Sequence, residues 1–243
     1  YSDREPDDAL LVTELLAWTG RQDELFAFAE PLARPMWESP EVWDGRFMLR
    51  WRYLQQYVPL LDAQAPADEA APAVIDAMRR LEIPGADDQD ADYIRREFHS
   101  CRETPDLSAF ARCTTKDEER GFFHDVRWNA CAFFHDTLHV QWVVADFWAD
   151  CLEDFWLNTP PRRKPQNPFH FSRERLDQHL ARRCKRLFHI DGMLAGATLE
   201  AVWHFASYLT GRGWIPEAEA VLTRQACQSL FGTCLKAVAS TDP

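Results

Sequence analysis

The feature of this chain that most restricts its fold is a helical spacing of apolar residues over almost all of its 243 residues. Runs of β-branched residues that alternate with polar ones are hard to find, and only nine residues are glycine. Helix-starting signals punctuate the pattern, as at Ser39-Pro40, where a capping residue precedes a proline in the first turn. We therefore predict an all-α protein with a single globular domain of roughly eight to ten helices and no significant sheet.

Two segments interrupt the helical pattern. Residues 63–71 are rich in alanine, proline and aspartate, which predicts a loop and a possible subdomain boundary within the single domain 1–243. Residues 159–168 are rich in proline and cationic side chains, which predicts an exposed loop. Arg162, Arg163 and Lys164 in this loop are candidates for an anion site that would bind a phosphate or the acidic surface of a partner.

The charge of the chain restricts the partners it can bind. The sequence contains 27 Lys and Arg against 39 Asp and Glu, a net charge of −12. We expect no direct contact with nucleic acid, because such binding needs a cationic surface. We also expect no membrane span, because the chain lacks an apolar run of about 18 residues. Scattered cysteines without a CxxC pair, and no secretory signal in the residues shown, predict a reducing, cytoplasmic location.

The most unusual sequence pattern lies in residues 117–157, which read as helix throughout. A continuous helix of this length would extend about 60 Å, and we expect a break or bend inside it. A turn of 100° per residue places a core face on one side and a mixed face of histidine, tryptophan and carboxylate on the other. The members of this mixed face are His124, Trp128, Cys131, His135, His139, Trp142, Asp146, Asp150 and Glu153.

His135 and His139 stand four residues apart, which is the spacing a helix needs to direct two imidazoles at one point. They are candidates for catalytic acid–base residues, or for ligands of a transition metal such as Zn or Fe. The remaining ligands would come from His189, Asp191 or His204 on other helices. The alternative interpretation is a solvated polar face with two incidental histidines, because no glutamate follows His135 as in HExxH.

Trp128 and Trp142 lie among charged residues, and this combination is typical of a binding groove. We therefore predict that these tryptophans, with Asp146 and Asp150, contact a partner or a ligand. A magnesium–diphosphate site on Asp146, Asp150 and Asp154 is a weaker alternative, because a DDxxD motif is missing. A structural alternative pairs the same carboxylates with the cationic residues of the stretch 162–186.

Two functional hypotheses follow from these patterns. The first is a non-enzymatic acidic binding protein without a cofactor, such as a toxin-neutralising immunity protein that covers the basic surface of another protein. Its contacts would come from Asp146 and Asp150, or from the acidic stretch that contains Asp87 and Asp88. The second is a helical enzyme that uses a metal or His135 and His139 on a small organic substrate in a groove lined by His, Trp and Asp.

Overall fold

A computed structural model describes residues 5–38, 45–82, 88–158, 167–183 and 190–239. Within these ranges the chain forms eleven α-helices and no strand, which confirms the predicted fold class. The helices are α1 (Glu5–Trp18), α2 (Gln22–Glu38), α3 (Gly45–Asp62), α4 (Ala67–Arg80), α5 (Asp88–Arg102), α6 (Leu107–Arg112), α7 (Lys116–Leu138), α8 (Trp142–Asn158), α9 (Arg173–Arg183), α10 (Ile190–Gly211) and α11 (Glu217–Ala239). None of the helices in these ranges has both the length and the apolar character required to cross a lipid bilayer.

The stretch 117–157 contains the expected break. A capping box starts α7, in which the Thr115 hydroxyl accepts from the Glu118 N–H and the Glu118 carboxylate accepts from the Thr115 N–H. The helix ends at Leu138, and His139 follows in the left-handed conformation with φ 55°. Since α8 starts anew at Trp142, the stretch forms two helices, and the total exceeds the predicted eight to ten.

The first of two compact units, unit 1, comprises residues 1–103 and Val140–Val144. Its described helices α1 to α5 pack mainly as the pairs α2–α3 and α4–α5. Tyr57 of α3 contacts Phe98 of α5 with ring centroids 5.2 Å apart, and its hydroxyl donates to the buried carboxylate of Glu97 at 2.5 Å. The predicted boundary segment 63–71 lies inside this unit, and the chain instead divides after Glu103.

Unit 2 comprises residues 104–139 and 145–243. Its core is a connected set of aromatic rings on α7, α8, α10 and the segment before α9. Phe169 stacks on Trp214 at 5.2 Å, and Phe205 stacks on Tyr208 at 5.0 Å. The burial of these large rings removes a large apolar area from water, and this removal stabilises the unit. The single-domain organisation of residues 1–243 stays a prediction.

Candidate functional site

Three carboxylates of the mixed face form a mostly buried ionic cluster in unit 2 with Arg127 of α7, which is not a member of that face. The side chain of Arg127 on α7 is 7% exposed, and its Nη2 atom donates to Oδ1 of Asp146 on α8, which is 3% exposed. The Nε atom of Arg127 lies 3.5 Å from a carboxylate oxygen of Asp150 and 3.5 Å from one of Glu153. The guanidinium also lies 4.8 Å from the ring centroid of Trp128.

The charges of this cluster hold α7 and α8 together. Burial alone would lower the pKa of Arg127, but the attraction of Asp146, Asp150 and Glu153 outweighs it and raises that pKa well above its usual value. The imidazole of His124 also contacts this cluster, since its Nδ1 atom lies 3.6 Å from a carboxylate oxygen of Glu153. One buried guanidinium therefore faces three carboxylates, and we interpret this arrangement as a structural element of unit 2.

Three of the four residues of the mixed face that we predict to contact a partner or a ligand do not lie at the protein surface. Trp128, Trp142 and Asp146 are all buried. Trp142 belongs to unit 1, where its indole Nε1 donates to Oδ1 of Asp62 at 2.7 Å. The placement of residues 117–157 at 100° per residue does not hold beyond the break at His139, where α7 has ended. In addition, the buried guanidinium of Arg127 allows Asp146 to face the core. Asp150 alone of the four predicted residues retains substantial exposure, at 42%.

The structure gives these carboxylates a cationic partner on α7. Asp146 and Asp150 both contact Arg127, which precedes them in the chain. Most of the cationic side chains at 162–186 lie outside the described residues, so their pairing with these carboxylates stays a prediction. Asp154 lies 3.6 Å from Nε2 of His179 and accepts from the amide of Asn158. All three predicted anion-binding residues lie outside the described residues, namely Arg162, Arg163 and Lys164.

The proposed histidine pair lacks the geometry that motivated it. His135 is half-buried in the last turn of α7, whereas His139 is exposed and lies beyond the end of that helix. The i, i+4 relation holds only on a continuous helix, so the end of α7 at Leu138 removes the reason to expect both rings at one place. Across the described ranges, no three His, Cys, Asp or Glu side chains are arranged to hold a metal ion.

Of the additional ligands predicted for that site, only His204 has a described side chain. His204 stacks on Trp148 with centroids 5.1 Å apart, and burial lowers its pKa despite the opposing effect of Glu200. His189 lies outside the described residues, as does the side chain of Asp191.

The negative charge of the protein is concentrated in unit 1. Its residues include 22 acidic and 11 basic side chains, a net charge of −11, whereas unit 2 has 17 acidic and 16 basic side chains, a net charge of −1. Asp68, Asp92 and Glu103 are each at least 79% exposed. Asp88 starts α5 with a side chain outside the described residues, and Asp87 is outside them entirely. A count of charge along the sequence could have revealed this asymmetry.

A pocket of about 390 Å³ lies in unit 2 between α11 and the segment that leads into α9. Its lining residues are His170, Phe171, Ser172, Arg173, Glu219, Leu222, Thr223, Gln225, Ala226 and Ser229. The Nδ1 atom of His170 lies 2.6 Å from Oε1 of Glu219, so the two sides of the pocket are joined by a polar contact. Sequence analysis missed the pocket because its two sides are about fifty positions apart and share no motif.

No protein-family model matches this sequence, and neither a characterised protein nor a solved structure gives a significant match.

Proposed function

We propose that this chain is a non-enzymatic binding protein whose acidic unit 1 covers a basic surface of another protein, in the manner of a toxin-neutralising immunity protein. The observation that supports the proposal is the charge asymmetry, which assigns −11 of the net −12 to unit 1. A protein partner fits this charge, whereas nucleic acid phosphates would be repelled by it.

The physical effect of such a charged unit is on the rate and orientation of encounter. Exposed carboxylates attract a basic partner over a distance comparable to the Debye length, about 8 Å at physiological salt, and raise the association rate. The same carboxylates disfavour partners with acidic surfaces. Arg127 and Asp146 contribute little to this step, because their side chains are buried in unit 2.

The test compares charge reversal in the two units. Glu69 and Asp76 are exposed residues seven positions apart on α4 of unit 1, so they face the same side of that helix. Asp136 on α7 and Asp177 on α9 are exposed residues of unit 2. Glu69→Lys with Asp76→Lys, and Asp136→Lys with Asp177→Lys, change the overall charge by the same amount. The two double variants therefore separate the position of the charge from its total.

Each protein is immobilised and used to recover partners from a lysate of its source cells, and the affinity of the recovered protein is then measured at several salt concentrations. We expect a basic partner whose binding weakens about tenfold in the unit 1 variant and changes little in the unit 2 variant. We also expect the partner to arrest growth when produced alone and to be neutralised by the wild-type protein. An acidic partner, or equal losses in the two variants, would contradict the proposal.

A further inference from the structure

We propose that the pocket of unit 2 binds a small organic monocarboxylate, whose apolar chain lies on Leu222 and Phe171 and whose carboxylate contacts Arg173. This proposal is independent of the proposed function, which concerns unit 1.

The segment that forms one side of the pocket is held in place before any ligand arrives. The amide of Asn167 donates to the carbonyl of Trp214 at 2.6 Å, and its side-chain oxygen accepts from the Phe169 N–H at 2.9 Å. The carbonyl of His170 accepts from Nη1 of Arg175 at 2.6 Å. A ligand that enters a preformed site pays little for ordering it, and the volume of 390 Å³ lies within the usual range for small-molecule pockets.

The apolar part of the pocket provides a reason for a ligand to bind there. Leu222 is 65% exposed, although its neighbours in the lining include the buried side chains of Phe171 and Ala226. An aliphatic chain against Leu222 would remove this apolar surface from water, and each buried methylene would add to the affinity.

The charges around the pocket favour an anionic head group. Oε1 of Glu219 lies 2.6 Å from Nδ1 of His170, so this carboxylate already has a polar contact within the lining of the pocket. Arg173 is exposed and lines the pocket, and it has no hydrogen-bond or ion-pair partner among the residues that the structure describes. A guanidinium without a carboxylate, next to an apolar surface, matches a molecule with a carboxylate at one end and an aliphatic chain at the other.

The test is a calorimetric titration of the full chain with octanoate, with butyrate as the short-chain comparison. Arg173→Ala removes the predicted contact with the carboxylate, and Arg80→Ala is its control, an exposed arginine of α4 that also lacks a described partner. Leu222→Ser removes the predicted apolar contact. Val221→Ser is its control, because Val221 directly precedes Leu222 on α11, is 41% exposed, and does not line the pocket.

We expect octanoate to bind at one site and more tightly than butyrate. Arg173→Ala should weaken binding about tenfold and Leu222→Ser several-fold, while the two controls bind as the wild type does. Circular dichroism spectra of all four variants would show whether each retains its helical content. The proposal is overturned by a lack of saturable binding up to about 10 mM octanoate, or by variants that lose no more affinity than their controls.

Discussion

Replacement of Arg127 by methionine should destabilise unit 2 by about 3–5 kcal/mol, the usual cost of removing one partner from a buried ion pair. The size of the effect follows from the contacts. Methionine fills much of the space of the arginine stem, so the loss is mainly electrostatic. It leaves the 3% exposed Asp146, and also Asp150 and Glu153, without the guanidinium that they share.

Two further variants separate this reasoning from a simple loss of packing. Asp146→Asn should cost less, about 1–3 kcal/mol, because Arg127 keeps Asp150 and Glu153 at 3.5 Å. The double variant Arg127→Met, Asp146→Leu should recover part of the stability lost in Arg127→Met, because an apolar pair of similar volume can replace a buried ion pair.

The assay is urea denaturation, with hydrogen exchange of the α7 and α8 amides to identify the transition in which these helices unfold. Thermal denaturation of Arg127→Met should show a Tm lower by about 6–20 °C. Arg120→Met is the control, since its exposed ion pair with Asp117 lies on the same helix and should contribute less than about 1 kcal/mol. If Arg127→Met and Arg120→Met were equally stable, the buried cluster would not have the role that we assign to it.

Three further predictions concern single elements of the fold. Backbone N–H groups of Thr114 and Thr115 lower the pKa of Glu118 from its ordinary value of 4.5. The stabilisation of the α7 start should therefore be present above pH 4.5 and be lost as pH falls through the lowered pKa. Glu118→Gln should remove this dependence in urea titrations at different pH values. His139→Gly should leave the free energy of unfolding unchanged or raise it by up to about 1 kcal/mol, because glycine accepts φ 55° without strain, and a clear loss of stability would contradict this. Tyr57→Phe should destabilise unit 1 by about 1–3 kcal/mol in the same assay, because it removes a buried hydrogen bond to Glu97, and an unchanged transition would show that this bond contributes little.

The helical architecture could be predicted because its signals are local. The spacing of apolar residues and the start signals of individual helices act within a few positions, and even the interruption of residues 117–157 was expected from length alone. The position of that interruption was not predicted, because His139 gives no sequence signal for the left-handed conformation that glycine usually provides.

The candidate sites could not be predicted because they depend on packing between distant segments. The residues around Asp146 in the sequence do not indicate that it is buried beside Arg127 of another helix. Trp142 looked like part of a groove, yet it reaches Asp62, which lies 80 positions earlier in the chain. The pocket likewise depends on the approach of His170 to Glu219, which lies 49 positions later in the chain. Periodicity within one helix carries no information about such partners.

The short segment Val140–Val144 has a consequence for synthesis on the ribosome. Unit 1 includes this segment, whose Gln141 side chain accepts from the backbone N–H of Gln22 and whose Trp142 donates to Asp62. The first 103 residues therefore leave the ribosome before the last part of their own unit has been translated. At the usual rates of elongation, the nascent chain would wait roughly 2–8 s for residues 104–144, with the surfaces that receive this segment open to water and to chaperones.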